Sequence, residues 1–362
     1  MDAKITKLRL SRMLSYDWFK IVLSAAALIA VWILIFTMTA TAITPSQKFT
    51  VMNFVGNVSL QDGEFYDKNR AALKNGVFSY EVIETSVEDL SSNSSMVGEL
   101  LQARTTLEEG DVIFVADDYD SRDVVKEEVV DGDKTQYEYT FGDTYLQNFL
   151  QMCFYSVYDV NVYLEEMRTF VGQYYNDAAW TDLNTDKVKA DFNARTKKDK
   201  RFRKSAARAQ GEKDEIERIE KYRDTLLKFD WYLENGVVTL PETVVVKEYF
   251  TDGRDLKGTY SINICPTEDR GGATVENGKP AMNGLMNAVA YKPLVETEKD
   301  GETVLDYGEK TASNMSVCLF KFDGVGSGFQ YESLSYIVYL IEEYVYHVDE
   351  NDSMRCPEWI YA

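Results

Sequence analysis

The first apolar segment of the chain lies close to the N-terminus. Residues 21–38 read IVLSAAALIAVWILIFTM, without a charged side chain, and the apolar character continues to Ile43. A helix rises about 1.5 Å per residue, so roughly 20 apolar residues cross a hydrocarbon layer about 30 Å thick. A surface helix of a globular protein would carry polar residues along one face. The pattern therefore predicts a transmembrane helix over residues 21–43.

The charges that flank this segment predict its orientation. The basic residues that precede it are Lys4, Lys7, Arg9, Arg12 and Lys20. After it, Lys48 stands alone before the acidic residues begin. Because cytoplasmic flanks are enriched in Lys and Arg, we expect a single-pass protein of the cell membrane. Residues 1–20 would then be a basic cytoplasmic tail, and residues 44–362 an extracytoplasmic domain.

A cleaved signal peptide is the alternative interpretation of the same segment. Ala40-Thr41-Ala42 fits a small-x-small cleavage site. Against cleavage, the apolar run is longer than the roughly 7–15 residues of a signal-peptide core. Both interpretations place the domain outside the cytoplasm.

The segment after the N-terminal helix alternates between strand-like and helix-like patterns. β-rich runs occupy Phe49–Phe54 and Val77–Glu84, and an almost continuous apolar run occupies Asp111–Ala116. Between them, Glu64–Asn75 and the apolar stripe from Val97 to Leu107 fit helices. A continuously apolar strand is typical of a parallel sheet covered on both faces. The β-α-β-α-β order predicts an α/β fold in which the three strands are parallel neighbours.

The rest of the chain has a helical middle, followed by strands. We expect an acidic surface excursion ending in a strand or hairpin at residues 121–140, and a last helix at Ser333–Tyr346. The remaining helical patterns are Thr144–Tyr175 and Lys187–Leu233, the strand candidates are Glu242–Phe250, Gly258–Cys265 and Met315–Phe322, and the expected polar loops are Glu268–Gly278 and Glu296–Gly308.

The acidic balance of the chain argues against anionic partners. Its 362 residues carry a net charge of −21, which repels nucleic acid and anionic lipid headgroups. The charge is uneven, because Lys187–Lys228 holds 15 Lys and Arg against 8 Asp and Glu. A solvated helix face is the usual reason for such a run. Docking on an acidic partner is the functional alternative.

Residues that carry common enzyme chemistry are scarce. His347 is the only histidine, and neither a GxxxxGK[ST] nor a GxGxxG phosphate-binding motif occurs. Pairs of carboxylates are present, but 60 acidic residues make accidental pairs inevitable. The four cysteines form no CxxC motif, and either free thiols or one of three pairings remains open. We therefore expect no catalytic residue, no metal and no cofactor.

Candidate ligand-binding residues follow from their position in the expected sheet. In an open α/β sheet, ligands bind beyond the carboxyl ends of the strands. Polar residues follow the first and third strands, and aromatic rings further along the chain could stack on a flat ligand such as a sugar. The candidates are Asn53, Asn57, Asp117, Asp118, Tyr119, Tyr175 and Trp180.

Three segments carry a family resemblance. FTVMNFVGN (residues 49–57) looks like a first strand with its ligand loop, and LEEGDVIFVADD (107–118) looks like a strand before a crossover between lobes. ERIEKYRDTLLKFDWYLENG (217–236) is similar to a helical second lobe. Together they resemble the extracytoplasmic solute-binding proteins of ABC importers. The resemblance implies two α/β lobes, one formed by residues 44–120 plus later strands and the other by residues 144–235.

This resemblance also implies a function and partners. A small molecule such as a sugar or peptide would bind between the lobes, and a membrane permease would receive it. Two features depart from the family pattern. No lipid-anchor cysteine lies near the membrane segment, and the second lobe shows charged helix where a parallel sheet is expected. A non-enzymatic scaffold or sensor of the cell envelope, with a related fold, is therefore the alternative.

Overall fold

The computed structural model describes most of the chain. The described residues are 7–39, 47–54, 72, 74–90, 96–119, 124–131, 134–245, 256–266, 285, 289–299, 302–322 and 331–345. They belong to two compact units, Met1–Thr44 and Pro45–Ala362. Asn57, His347, the Glu268–Gly278 loop and nearly all of the helix expected at Glu64–Asn75 lie outside the described residues.

The first unit contains a long helix, α1, at Lys7–Thr39. Its start lies ahead of the predicted span, and residues 40–43 of that span lie outside the described residues. The large apolar side chains described between Trp18 and Leu34 are 51–70 % exposed. Within the described residues, no helix combines the length and the apolar character that crossing a bilayer requires. The membrane helix expected over residues 21–43 therefore stays a prediction.

The second unit is built on a mixed sheet. The described strands are β1 Lys48–Phe54, β2 Glu84–Asp89, β3 Val112–Ala116, β4 Val125–Asp131, β5 Lys134–Thr140, β6 Thr243–Val245, β7 Leu256–Gly258, β8 Ile262–Asn263, β9 Leu294–Lys299, β10 Glu302–Tyr307 and β11 Met315–Leu319. Five of them form a sheet in the order β2-β1-β3-β11-β8. Both β2 and β3 pair with β1 in parallel, and β11 is antiparallel to β3 and β8. The α/β class and the parallel pairing of the first and third predicted strands are confirmed.

The second predicted strand is misplaced. Val77–Glu84 forms turns, in which the Val82 amide donates to the Ser79 carbonyl (3.2 Å), and the strand is β2 at Glu84–Asp89. Val77, Phe78 and Val82 are nevertheless buried, because a turn packed on the core also buries its apolar side chains. The polar sequence of β2 suits an edge strand that is only partly buried.

The helical patterns are largely confirmed. The described helices of the second unit are α2 Val97–Thr106, α3 Tyr145–Cys153, α4 Val160–Gly172, α5 Thr185–Arg195, α6 Ser205–Glu234 and α7 Glu332–Leu340, which a π-helical turn at Ile341–Val345 extends. Capping residues explain where three of them begin. Thr144 forms a capping box with Gln147, and the side chains of Asp159 and Asn184 accept amides of the first turns of α4 and α5.

Two β-hairpins, β4–β5 and β9–β10, form two-stranded sheets separate from the main sheet. The excursion at residues 121–140 contains the hairpin β4–β5, as expected. The segment Glu296–Gly308, expected to be a polar loop, is instead largely the hairpin β9–β10. Its strands carry charged residues on both sides of the pleat, so the apolar alternation that predicts a strand is missing. The Tyr139 hydroxyl of β5 contacts the backbone of β10 at Thr303 and Leu305.

One hydrophobic core joins the sheet to the helices of the second unit. Phe149 of α3 packs edge-on against Phe320 after β11 (ring centroids 6.0 Å apart), and Tyr163 of α4 packs against Tyr331 before α7 (5.6 Å). Residues of the predicted second lobe, 144–235, thus share their core with the sheet. The expected two-lobed arrangement is not confirmed.

Candidate functional site

Asp117 lies where β3 ends, as predicted, but its carboxylate is used within the fold. The Thr144 hydroxyl donates to Asp117 Oδ1 (2.9 Å), and the same hydroxyl accepts the Gln147 amide at the start of α3. The Asp117 amide donates to the carbonyl of Asn314 (3.0 Å), next to β11. Asp117 therefore fastens α3 and β11 to the carboxyl end of β3.

Asp118 is the carboxylate at this edge with the most unusual environment. It is half-buried, and its Oδ1 accepts the Tyr119 amide (2.8 Å). Partial burial raises the pKa of Asp118 above its ordinary value, and the neighbouring charge of Asp117 adds to the rise. The buried Tyr291 hydroxyl lies beside the carboxylate, and both burial and Asp118 raise the pKa of Tyr291. A group with such a perturbed pKa at a sheet edge is a candidate for ligand binding.

Tyr119 supplies an aromatic surface next to Asp118. Its side chain is 41 % exposed, and its ring lies 4.8 Å from that of Phe141 (centroid to centroid). A backbone bridge to Thr144 fixes the position of Tyr119. Asp118, Tyr119 and Phe141 thus form a small polar and aromatic patch. Such a patch can accept hydrogen bonds and stack on a flat ring, as sugar and peptide ligands require.

Asn53 faces the core of the sheet and not the patch. It is fully buried at the end of β1, and its Nδ2 donates to Asp89 Oδ1 of β2 (3.2 Å). Its Oδ1 has no hydrogen-bond partner among the described residues. The described contacts of Asn53 therefore hold β1 to β2.

Tyr175 and Trp180 lie together, without a described contact to Asp118. Their ring centroids are 6.5 Å apart, near the end of α4. The guanidinium of Arg223 lies 5.8 Å from the Tyr175 ring, and burial raises the pKa of Tyr175 to about 12. None of the contacts between described residues joins this pair to Asp117, Asp118 or Tyr119.

The start of α4 lies near the amino end of β3. Val157, just before α4, pairs with Phe320, whose amide donates to the Asp111 carbonyl (3.0 Å) at the start of β3. Asp118 follows the opposite, carboxyl end of β3. The sequence cannot reveal this, because it shows where α4 lies in the chain but not which end of the sheet it meets.

A buried ionic network on α6 is a feature that the sequence analysis missed. Glu215 and Arg218 are 2 % and 1 % exposed, and two hydrogen bonds join them (3.1 and 2.6 Å). Arg195 of α5 and the Tyr80 hydroxyl both donate to Glu215 Oε2 (2.9 Å each). Burial alone would raise the pKa of Glu215, but the charges of Arg218 and Arg195 hold it below its ordinary value. The Glu-x-x-Arg spacing within a helical stripe was the available signal.

A second buried carboxylate connects the same helix to α7. Glu332 accepts the Tyr222 hydroxyl (2.7 Å) and the Ser79 amide (3.0 Å). Together, Glu215 and Glu332 tie the 76–83 turns to α6 and α7. Beside them lies an open groove of about 530 Å³, which the Lys228–Glu342 ion pair crosses. The carboxylates are occupied by partners within the fold, so this network stabilises the structure and presents no free reactive group.

Neither a metal centre nor a reactive thiol emerges from the described part of the chain. No group of His, Cys, Asp and Glu side chains there could hold a metal ion. Cys153, Cys265 and Cys318 are buried, and burial raises the pKa of Cys318 well above its ordinary value. Thiols of this kind are unreactive, because the thiolate is the nucleophile.

Comparisons with known proteins add no family to this picture. No protein-family model matches the chain, and no curated protein or solved structure matches it significantly.

Proposed function

We propose that the chain is a membrane-tethered binding protein of the cell envelope, with its N-terminus in the cytoplasm and residues 44–362 outside. The uncharged run at residues 21–38 and the basic residues ahead of it support this topology. The exposed apolar side chains of α1 support it as well, since such a surface is stable only against lipid or another apolar surface.

The proposed activity is the binding of a small solute, without chemical change, at the patch formed by Asp118, Tyr119 and Phe141. The observation that carries this proposal is the half-buried Asp118, with its raised pKa, at the carboxyl end of parallel strands. The exposed Tyr119 ring beside it offers a stacking face. A sugar or a short peptide fits this chemistry, and a membrane permease is the proposed partner by resemblance.

A scaffold or sensor is the second candidate function. It is favoured by the way α3 covers this edge of the sheet. The Tyr145 amide donates to the Asp118 carbonyl (2.9 Å), and the Tyr145 ring packs edge-on against Phe54 (5.8 Å). A covered edge leaves little depth for a solute. In this case the folded unit would act through a protein partner.

Thermal unfolding with added ligands distinguishes the two functions. The protein would be screened against sugars, amino acids and peptides. A ligand at a hundredfold excess over its dissociation constant stabilises the folded state by about 2.7 kcal/mol. Asp118→Asn should abolish the ligand-induced shift in melting temperature, whereas Asp186→Asn, an exposed control on α5, should leave it unchanged. An unchanged shift in Asp118→Asn would show that the site is misplaced, and the absence of any stabilising ligand would favour the scaffold.

A further inference from the structure

A cluster of unpaired cations occupies the junction between α5 and α6. We call this junction, residues 196–204, the basic elbow. It contains six basic residues and one acidic residue, Asp199, in a chain of net charge −21. Asp199 and Arg201 pair with each other. The exposed side chains that have no carboxylate partner in the described part of the chain are Lys197, Lys198, Lys200, Arg203 and Lys204.

The backbone of the basic elbow is firmly held. Phe202 is buried, and its ring packs edge-on against Phe192 of α5 (5.0 Å). Arg201 makes two hydrogen bonds to the buried Glu81 (2.9 and 3.1 Å). Asp199 accepts the Arg201 amide (2.9 Å) at the start of the 3₁₀ turn Lys200–Phe202. The cations therefore extend from a preformed support, which lowers the entropic cost of binding.

A glycine permits this packing. A Cβ atom on Gly211 of α6 would lie 2.5 Å from the ring of Phe192 and 2.6 Å from that of Phe202. Both distances are shorter than any real contact of a Cβ atom, so only glycine lets the two rings close over α6. Glycine within a helix costs about 1 kcal/mol relative to alanine. Helix α6 thus contains a destabilising glycine at the position where the packing of the basic elbow requires one.

We propose that the basic elbow docks on anionic phospholipid headgroups of the membrane that tethers the chain. Four of the five unpaired cations are lysines, and the lysine ammonium is a point charge that suits phosphate groups presented at variable positions. The rest of the domain is acidic and is repelled by such a surface. Contact through the basic elbow would therefore fix which side of the domain faces the membrane.

The tether strengthens this weak attraction, and on this point the inference rests on the proposed function. A domain held near a bilayer by a linker binds the surface in an intramolecular step, at an effective concentration in the millimolar range. Each Lys or Arg close to an anionic surface adds about fivefold to association. Five such residues match the size of typical lipid-binding clusters, which hold about four to eight Lys and Arg.

Hydrogen exchange on the reconstituted full-length chain tests the inference. The protein would be placed in vesicles of phosphatidylcholine alone or with added phosphatidylglycerol. We expect the amides of residues 196–204 to exchange at least about fivefold more slowly in the anionic vesicles. The protection should vanish at about 1 M salt, where the Debye length falls to about 3 Å. Equal exchange in both vesicles would overturn the proposal.

Two charge variants separate a specific contact from a general loss of charge. The first replaces Lys197, Lys198, Lys200 and Lys204 with Gln, and it should lose the protection. The matched control replaces four exposed lysines elsewhere, Lys126, Lys213, Lys257 and Lys299, and it should keep the protection. Equal loss of protection in both variants would overturn a contact centred on the basic elbow.

The remaining experiments distinguish anionic lipid from a soluble anion, and they test the tether independently of the basic elbow. Protection by soluble polyglutamate or polyphosphate, without any effect of anionic lipid, would overturn the choice of lipid in favour of an acidic soluble partner. Retention of the chain in neutral vesicles after an alkaline wash reports on α1 alone. Failure of that retention would contradict the proposed tether, and it would be recognised separately from failure at the basic elbow.

Discussion

At the scale of single residues, the buried charges of the second unit dominate its energetics. Arg218 is almost completely enclosed, and its guanidinium is compensated by Glu215 on the same helix. Removing one member of a buried ion pair leaves an uncompensated charge in a medium of low dielectric constant. The same change at an exposed pair has little effect, because water and salt screen the charges.

Glu215→Gln should therefore lower the free energy of unfolding by about 3–5 kcal/mol. The exposed pair of Lys187 and Asp191 on α5 provides the control, and Asp191→Asn should change stability by no more than about 0.5 kcal/mol. Urea denaturation of both variants measures the difference. Similar losses in the two variants would show that the Glu215 network contributes nothing beyond a surface ion pair.

Ionisation of Asp118, unlike that of Glu215, destabilises the folded protein. Because its pKa is raised in the folded protein, the folded state favours the protonated form. Its contribution is complete below the unfolded value of 3.8 and is lost as the pH rises through the folded pKa. Asp118→Asn should consequently raise the urea midpoint near neutral pH, and the gain should disappear in acid. A gain that persists below the unfolded pKa would rule out ionisation as its cause.

At the scale of secondary-structure elements, the sequence predicts those that bury an apolar face. β1, β3, α3 and α4 are such elements, because burial leaves a continuous apolar run in the strands and an apolar stripe in the helices. The strands β2, β9 and β10 are not predicted, because they bury no apolar face. Their side chains are largely polar and only partly buried or exposed, so hydrogen bonding to a neighbouring strand determines their structure, and this is not visible in the local sequence.

The residues of the candidate site also divide into those that the local sequence predicts and those that it does not. Asp117 and Asp118 could be placed at the end of β3, because the apolar run before them identifies the strand. The lack of a described contact between Asp118 and Trp180 could not be predicted, since it depends on how α4 and the residues after it pack. The Glu215 network also depends on long-range packing, because it joins residues far apart in the chain.

Two helical glycines give an element-scale prediction. Gly211→Ala should destabilise the protein by about 1–3 kcal/mol, because the new methyl group would overlap Phe192 and Phe202. Gly98→Ala in the first turn of α2 should be neutral or stabilise it by up to about 1 kcal/mol, since the nearest atom, Met152 Sδ, lies at an ordinary 3.4 Å. Chemical denaturation compares them. Stabilisation by Gly211→Ala would contradict the tight packing under the basic elbow.

At the scale of the whole molecule, the two units have different surfaces. The second unit has its own hydrophobic core, which joins a five-stranded sheet to the helices around it. The described part of the first unit is a helix whose large apolar side chains are exposed. The proposed tether gives these side chains an apolar environment and places the acidic domain outside the cytoplasm.

Reporter fusions after Ala362 test the proposed topology most directly. Alkaline phosphatase folds into an active enzyme only outside the cytoplasm, and green fluorescent protein fused through the same export route fluoresces only inside. The account predicts an active phosphatase fusion, a dark fluorescent-protein fusion and a mature chain that retains residues 1–43. An inactive phosphatase fusion together with a fluorescent one would contradict it.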